Sequence, residues 1–113
     1  MELTSEQQGT VTVLRPAGSV DASATDAFNS AIQDEVRLGR TRLVIDLSDV
    51  DYMASAGLRG ILSGLKTARQ AGGDLRIAAP RSAVLDVLNL AGVTALVRTF
   101  KDVDSALASF EYE

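Results

Sequence analysis

Apolar and polar positions along this chain change period several times, and each change marks an element. Residues 2–8 are polar with a strand-like lean, Gly9-Thr10 marks a turn, and Val11-Thr12-Val13-Leu14 is a β-rich run. That run leads into Pro16-Ala17-Gly18 and then Ser19-Val20-Asp21, so the chain is expected to open with an antiparallel hairpin. Pro16 has no N–H to give a ladder and is expected at a bulge or an edge.

The period then becomes helical. Ala24, Ala27, Phe28, Ala31, Ile32 and Val36 share one stripe, Ser23 with Asp26 resembles a capping pair, and Gly39 stands where a helix should stop. Thr41 to Leu47 reads as a strand whose apolar residues are interrupted only by Asp46, the pattern of a strand covered on both faces. An acidic turn follows, and a second helix is expected from Ser55 to Ala71. Leu58, Ile61, Leu62, Leu65 and Ala68 form its core stripe, and Gly72-Gly73 end it. Leu75 to Ala79 gives a further strand, Pro80 is expected to open a helix that Gly92 closes, Ala95 to Phe100 reads as a last strand, and Asp104 to Phe110 as a last helix. Strands alternating with helices behind a leading hairpin predict an α/β fold, with a mixed sheet that is parallel through its middle and helices packed on it. No linker or internal repeat breaks residues 1–113, so one domain is expected.

Composition narrows the chemistry. The 113 residues contain no His and no Cys, which removes the commonest general base, the thiol nucleophile and the imidazole and thiolate metal ligands. A net charge of −4 with scattered Arg and Lys argues against nucleic acid. No apolar run is long enough to span a bilayer, the N-terminus lacks the basic-then-apolar pattern of a secretory signal, and the absence of cysteine fits a cytoplasmic location.

What remains is the run Leu43-Val44-Ile45-Asp46-Leu47-Ser48-Asp49-Val50-Asp51-Tyr52-Met53-Ala54-Ser55-Ala56-Gly57-Leu58, a strand and an acidic turn that deliver Ser55 to the mouth of a helix. The plainest reading is a helix cap, since Ser is favoured there. The functional reading is a presented hydroxyl: Ala56 and Gly57 leave its surroundings flat, and a helix start tolerates a phosphate. A phosphate would add about two negative charges, tolerated within the domain but costly at an interface that must desolvate it.

Gly18-Ser19-Val20-Asp21, Leu43–Leu47, Asp51-Tyr52-Met53-Ala54-Ser55-Ala56-Gly57-Leu58 and Gly72-Gly73 together resemble the STAS domain of bacterial anti-sigma factor antagonists, over nearly the whole chain. The family's signature is an Asp-Ser-Ser/Ala/Thr-Gly-Leu run at a helix start, whose first Ser is phosphorylated by an anti-sigma factor that is also a serine kinase. The resemblance implies a STAS fold, no enzymatic activity and no cofactor. It implies a kinase partner, a separate phosphatase for reset, and phosphorylation at Ser55. Gly57 and Leu58 match the residues closing the motif, and Asp21 matches an acidic residue near the phosphorylated serine. Asp21, Ala54, Ala56, Gly57, Leu58 and Arg59 are the implied partner-binding set. One position departs: Ala54 stands where the family usually has Asp, which bears on phosphorylation more than on partner binding. A non-switching scaffold, or a subunit of a signalling or lipid-transport complex, is the alternative.

Three other patterns carry weaker expectations. Asp21, Asp46, Asp49 and Asp51 could be read as a Mg²⁺ pocket, but the hairpin start disfavours a receiver domain, and Asp49 and Asp51 are expected to solvate a turn. Gly57, Gly60 and Gly64 form a small-residue stripe, read as close packing or as a shallow docking surface. Arg59, Arg69, Arg76, Arg81 and Arg98 are expected on solvated faces, with Arg59, one turn beyond Ser55, able to pair with a carboxylate or phosphate.

Overall fold

Strand β2 (Val11–Val20) organises the sheet. On one side it pairs antiparallel with β1 (Glu2–Gln8), forming the expected hairpin; on the other it pairs parallel with two strands in succession. Its first half, Thr12–Leu14, takes β3 (Arg42–Asp46), and its second half, Ala17–Val20, takes β4 (Asp49–Met53). Strands β5 (Asp74–Ala78) and β6 (Thr99–Phe100) extend the sheet in parallel beyond β3, giving the order β1-β2-β3-β5-β6 with β4 against β2. The computed structural model describes residues 1–111. Pro16 lies inside β2 opposite Leu3, between the stretches bonded to β3 and to β4, where a missing donor breaks no parallel pair.

Helices α1 (Thr25–Arg37), α2 (Ser55–Gln70), α3 (Ser82–Leu90) and the short α4 (Val93–Leu96) contribute to the larger core, and α5 (Val103–Phe110) to a smaller one. The alternation within strands assigns the faces. Leu43, Ile45, Leu75 and Ile77 join Phe28, Ile32, Ile61 and Leu65 in the larger core. Val44 and Ala78 turn the other way and join Val11, Val13, Ala106 and Phe110. The apolar run at 43–47, interrupted only by Asp46, therefore has the predicted cause, a strand buried on both sides.

Several boundaries differ from expectation. The acidic turn is strand β4: β2 outlasts β3 and offers its second half as a template, and Val50 and Met53 point into the core while Asp49, Asp51 and Tyr52 face out. A bulge between Gly18 and Ser19 adjusts this register. Ser23 and Asp26 do not cap α1; Ala24 holds that position without a side-chain bond, and Ser23 turns back to Asp21. Pro80 precedes α3, which starts at Ser82 with Arg81 as N-cap. The expected strand over 95–100 is split, because Gly92 at φ 77° ends α3 and lets the chain make the α4 turn, which buries Val93 and Val97 and leaves only Thr99–Phe100 as strand.

Of the arginines expected on solvated faces, Arg59, Arg69, Arg81 and Arg98 are exposed, and Arg76 departs from the expectation. Arg76 is 2% exposed, with its Nε on Asp74 Oδ2 at 2.9 Å, its Nη1 on Ser109 Oγ at 2.7 Å and its guanidinium 3.8 Å from the Phe110 ring centroid. Arg69 reaches the other Asp74 oxygen at 3.0 Å, Arg81 donates to the Ser48 carbonyl at 2.8 Å, and Arg98 lies over Phe100. A charge on the α5 side of β5 is tolerated because countercharge, hydroxyl and ring converge on it.

Ala79, at the end of β5, has φ 55°, a left-handed conformation that L residues other than Asn and Asp rarely adopt, and its amide donates to the Phe100 carbonyl at 2.8 Å. Ala79→Gly is expected to stabilise the fold by about 0.5–1 kcal/mol, the relief of strain less the added unfolded-state entropy, measured by urea unfolding.

Candidate functional site

The parallel strands β2 and β4 end side by side, and this places the candidate residues together. Val20 and Met53 are register partners, and the Ala54 amide donates to the Val20 carbonyl at 2.8 Å, so Asp21 and Ser55 leave the same edge of the sheet on adjacent strands. Residues 34 apart in sequence are joined here by topology alone.

Ala54 is extended at φ −73°, ψ 159° and occupies the N-cap position of α2, with no side chain closing the cap. Its carbonyl instead accepts from the Gly57 and Leu58 amides at 2.9 and 3.2 Å. Ser55 is the first helical residue, exposed, and its hydroxyl does not act as a cap. Ala56 beside it is half-buried and Arg59, one turn on, is exposed. Gly57 and Leu58 are buried and support this turn from beneath. A Cβ at Gly57 would lie 3.1 Å from Met53 Cγ and 3.2 Å from Val20 Cγ1, so the glycine lets the first turn settle onto the ends of both strands.

Asp21 is fixed locally rather than by Ser55. Its Oδ1 accepts from the Ser23 hydroxyl at 2.6 Å and the Ser23 amide at 3.0 Å, an Asx turn leading into α1. The Ser23 hydroxyl, foremost, holds the carboxyl below its ordinary value, with the Ser23 and Ala24 amides acting in the same direction. A depressed folded-state pKa stabilises above the unfolded value and loses that contribution as pH falls through the folded one. Ser23→Ala is therefore expected to raise the Asp21 pKa toward its ordinary value and to shrink the acid-side loss of stability, as read by NMR titration of the carboxyl and by pH-dependent unfolding.

The remaining acidic residues do not gather into a cation pocket. Asp46 receives the Ser48 amide at 3.0 Å and pairs with Arg15 at 3.3 Å, Asp51 takes the Ser19 hydroxyl at 2.8 Å, and among the described residues no three carboxylates are grouped to hold a metal.

The glycine stripe of α2 faces inward. Gly60 packs beneath Asn29 of α1, and Gly64 against Ile32, with Leu75 Cδ1 3.1 Å from the position a Cβ would take. The ordered pairing of 29 with 60 and 32 with 64 sets the two helices parallel at close approach. All three glycines are buried, and Gly60 also lines a groove between the two helices. Asn29 Nδ2 donates to the Ala56 carbonyl at 3.4 Å, tying α1 to the first turn of α2, while its Oδ1, pressed over Gly60, is buried without a hydrogen bond. Sequence reasoning missed Asn29, although a polar residue on the Ile32–Val36 stripe was a usable signal. It also missed the Ser19–Asp51 pair, for which the sequence holds no signal short of the strand register.

The chain belongs to the STAS domain family, whose model matches residues 2–106. It is 27% identical over 111 residues to a Bordetella bronchiseptica protein provisionally named anti-sigma factor antagonist BtrV, covering 98% of this chain and 96% of that one. The crystal structure of an anti-sigma factor antagonist from Mycobacterium paratuberculosis superposes with a TM-score of 0.88 at 25% identity, over 96% of this chain and 92% of that one. The phosphorylated form of the Bacillus cell fate determinant SpoIIAA has the same fold, with a TM-score of 0.74 at 16% identity over 96% and 99% of the two chains. Among the described residues no helix is long and apolar enough to cross a membrane.

Proposed function

We propose that this chain is an anti-sigma factor antagonist that binds an anti-sigma factor serine kinase and is released when that kinase phosphorylates Ser55. The observation that carries this reading is the exposed, uncapped Ser55 hydroxyl on a first turn flattened by Ala56 and supported by the buried Gly57 and Leu58. Resemblance to proteins named as antagonists supplies the partner class. The γ-phosphoryl of ATP passes to Ser55 Oγ, leaving ADP, and the hydroxyl proton goes to a base on the kinase. A separate phosphatase hydrolyses the ester and restores the hydroxyl. In this reading the chain acts in the cytoplasm as ligand and substrate, not as enzyme, and needs no cofactor of its own.

Partner contacts are assigned to Asp21, Ala54, Ala56 and Arg59 around the hydroxyl, with Gly57 and Leu58 setting the turn. Ala54 offers no carboxylate beside Ser55, and this favours a second reading in which the chain is a constitutive STAS scaffold. Pull-down from the native cell with wild type, Ser55→Ala and Ser55→Asp separates the two. The switch predicts that an ATP-binding kinase-like protein is retained by Ser55→Ala and lost by Ser55→Asp. Equal recovery by all three baits supports the scaffold and contradicts the switch.

A further inference from the structure

We propose that a phosphate on Ser55 is captured in cis by Arg59, which withdraws that guanidinium from the groove between α1 and α2. The inference rests on Ser55 being the phosphorylated residue. The groove has a volume of about 410 Å³ and is lined by Asn29, Gln33, Arg37, Ala56, Arg59 and Ser63 among others. No carboxylate lines it, although the chain as a whole carries a net charge of −4. It is a local cationic hollow on an acidic protein, directly beside the candidate hydroxyl.

Its two arginines differ. Arg37 is held by Asp34 at 2.6 Å, whereas Arg59 is exposed and uncommitted. Among the described residues every other arginine has an ion pair, a hydrogen bond or an aromatic contact. Arg15, Arg40, Arg69 and Arg76 pair with carboxylates, Arg42 donates to Thr10, Arg81 to the Ser48 carbonyl, and Arg98 lies over Phe100. Arg59 has none of these.

Ser55 precedes Arg59 by four residues on one helix, a spacing that brings Cβ atoms within about 6 Å, and anion-before-cation is the favourable order along a helix. A phosphoserine offers about two negative charges and three acceptor oxygens, and the planar guanidinium can take two of those oxygens at once. The Asp21 and Asp51 carboxylates take the Ser23 and Ser19 hydroxyls, and neither pairs with Arg59. Phosphorylation then changes this face twice: it adds charge at the helix start and removes the free cation from the groove.

The test uses the full chain with phosphoserine incorporated genetically at position 55, so no kinase is needed. The Arg59 Nε–H signal is followed by NMR with and without the phosphate, and removal of the phosphate by alkaline phosphatase is timed in wild type and in Arg59→Gln. Capture predicts that the Arg59 signal moves and that its exchange with water slows about threefold to tenfold. It also predicts that Arg59→Gln loses its phosphate about threefold faster, the consequence of removing a charge-assisted hydrogen bond. An Arg59 signal with the same shift and exchange in both forms overturns the inference. If the installed phosphate captures Arg59 but Ser55 is never phosphorylated in the cell, the switch reading fails and the capture stands. Phosphorylation in the cell with an unresponsive Arg59 does the reverse.

Discussion

Ser55→Asp is expected to weaken binding to the kinase partner at least about 100-fold, close to 3 kcal/mol, with Ser55→Ala within a few-fold of wild type. The reason is desolvation. Ser55 stands exposed with the small side chains of Ala54 and Ala56 as its chain neighbours, so an approaching protein can cover the hydroxyl closely. A neutral hydroxyl tolerates that cover, whereas a carboxylate, or a phosphate that stays net negative even when Arg59 pairs with it, does not. The fold itself should be indifferent to the change, because an anion at the first helical position is favourable. Titration calorimetry with the isolated partner gives the affinities, and unfolding midpoints for the three variants check that stability is preserved.

The largest effect on stability is expected from Asp74→Ala, about 3–5 kcal/mol. Asp74 is the countercharge for Arg76, whose side chain is 2% exposed, and its second oxygen also binds Arg69. Without the carboxylate, Arg76 keeps Ser109 and the Phe110 ring but loses the Asp74 charge that sits 2.9 Å from its Nε. Since domains of this size are stable by only about 5–15 kcal/mol, a large share of the folding free energy would be lost. Adding Arg76→Met to Asp74→Ala should restore most of it, because an apolar side chain of similar length fills the space without the charge. Urea unfolding of the two variants is the measurement. A double variant no more stable than the single would indicate that the charge is not the cause.

The fold was legible where one pattern had one cause. The Leu43–Leu47 run, buried on both faces, and the Leu58–Ile61–Leu65 stripe of α2 express local periods that tertiary structure did not override. It was less legible where the deciding partner is distant. Asp49-Val50-Asp51-Tyr52-Met53 has the composition of a turn and becomes β4 only because β2 outlasts β3. Arg76 has the composition of a surface residue and is buried because Asp74, Ser109 and Phe110 meet it from two elements. At the candidate site, Ser55 and Gly57-Leu58 were visible as a contiguous motif, whereas the Asn29 tie and the α1–α2 groove depend on a helix packing that no local spacing specifies.

The most direct measurement is phosphoryl transfer from ATP by the partner kinase, with the modified residue mapped by mass spectrometry and the binding of the product measured. The switch predicts a single phosphate on Ser55 of the wild-type chain, none on Ser55→Ala, and a phosphorylated chain that no longer binds the kinase. Transfer to another residue, or a Ser55-phosphorylated chain that binds as tightly as before, would contradict it.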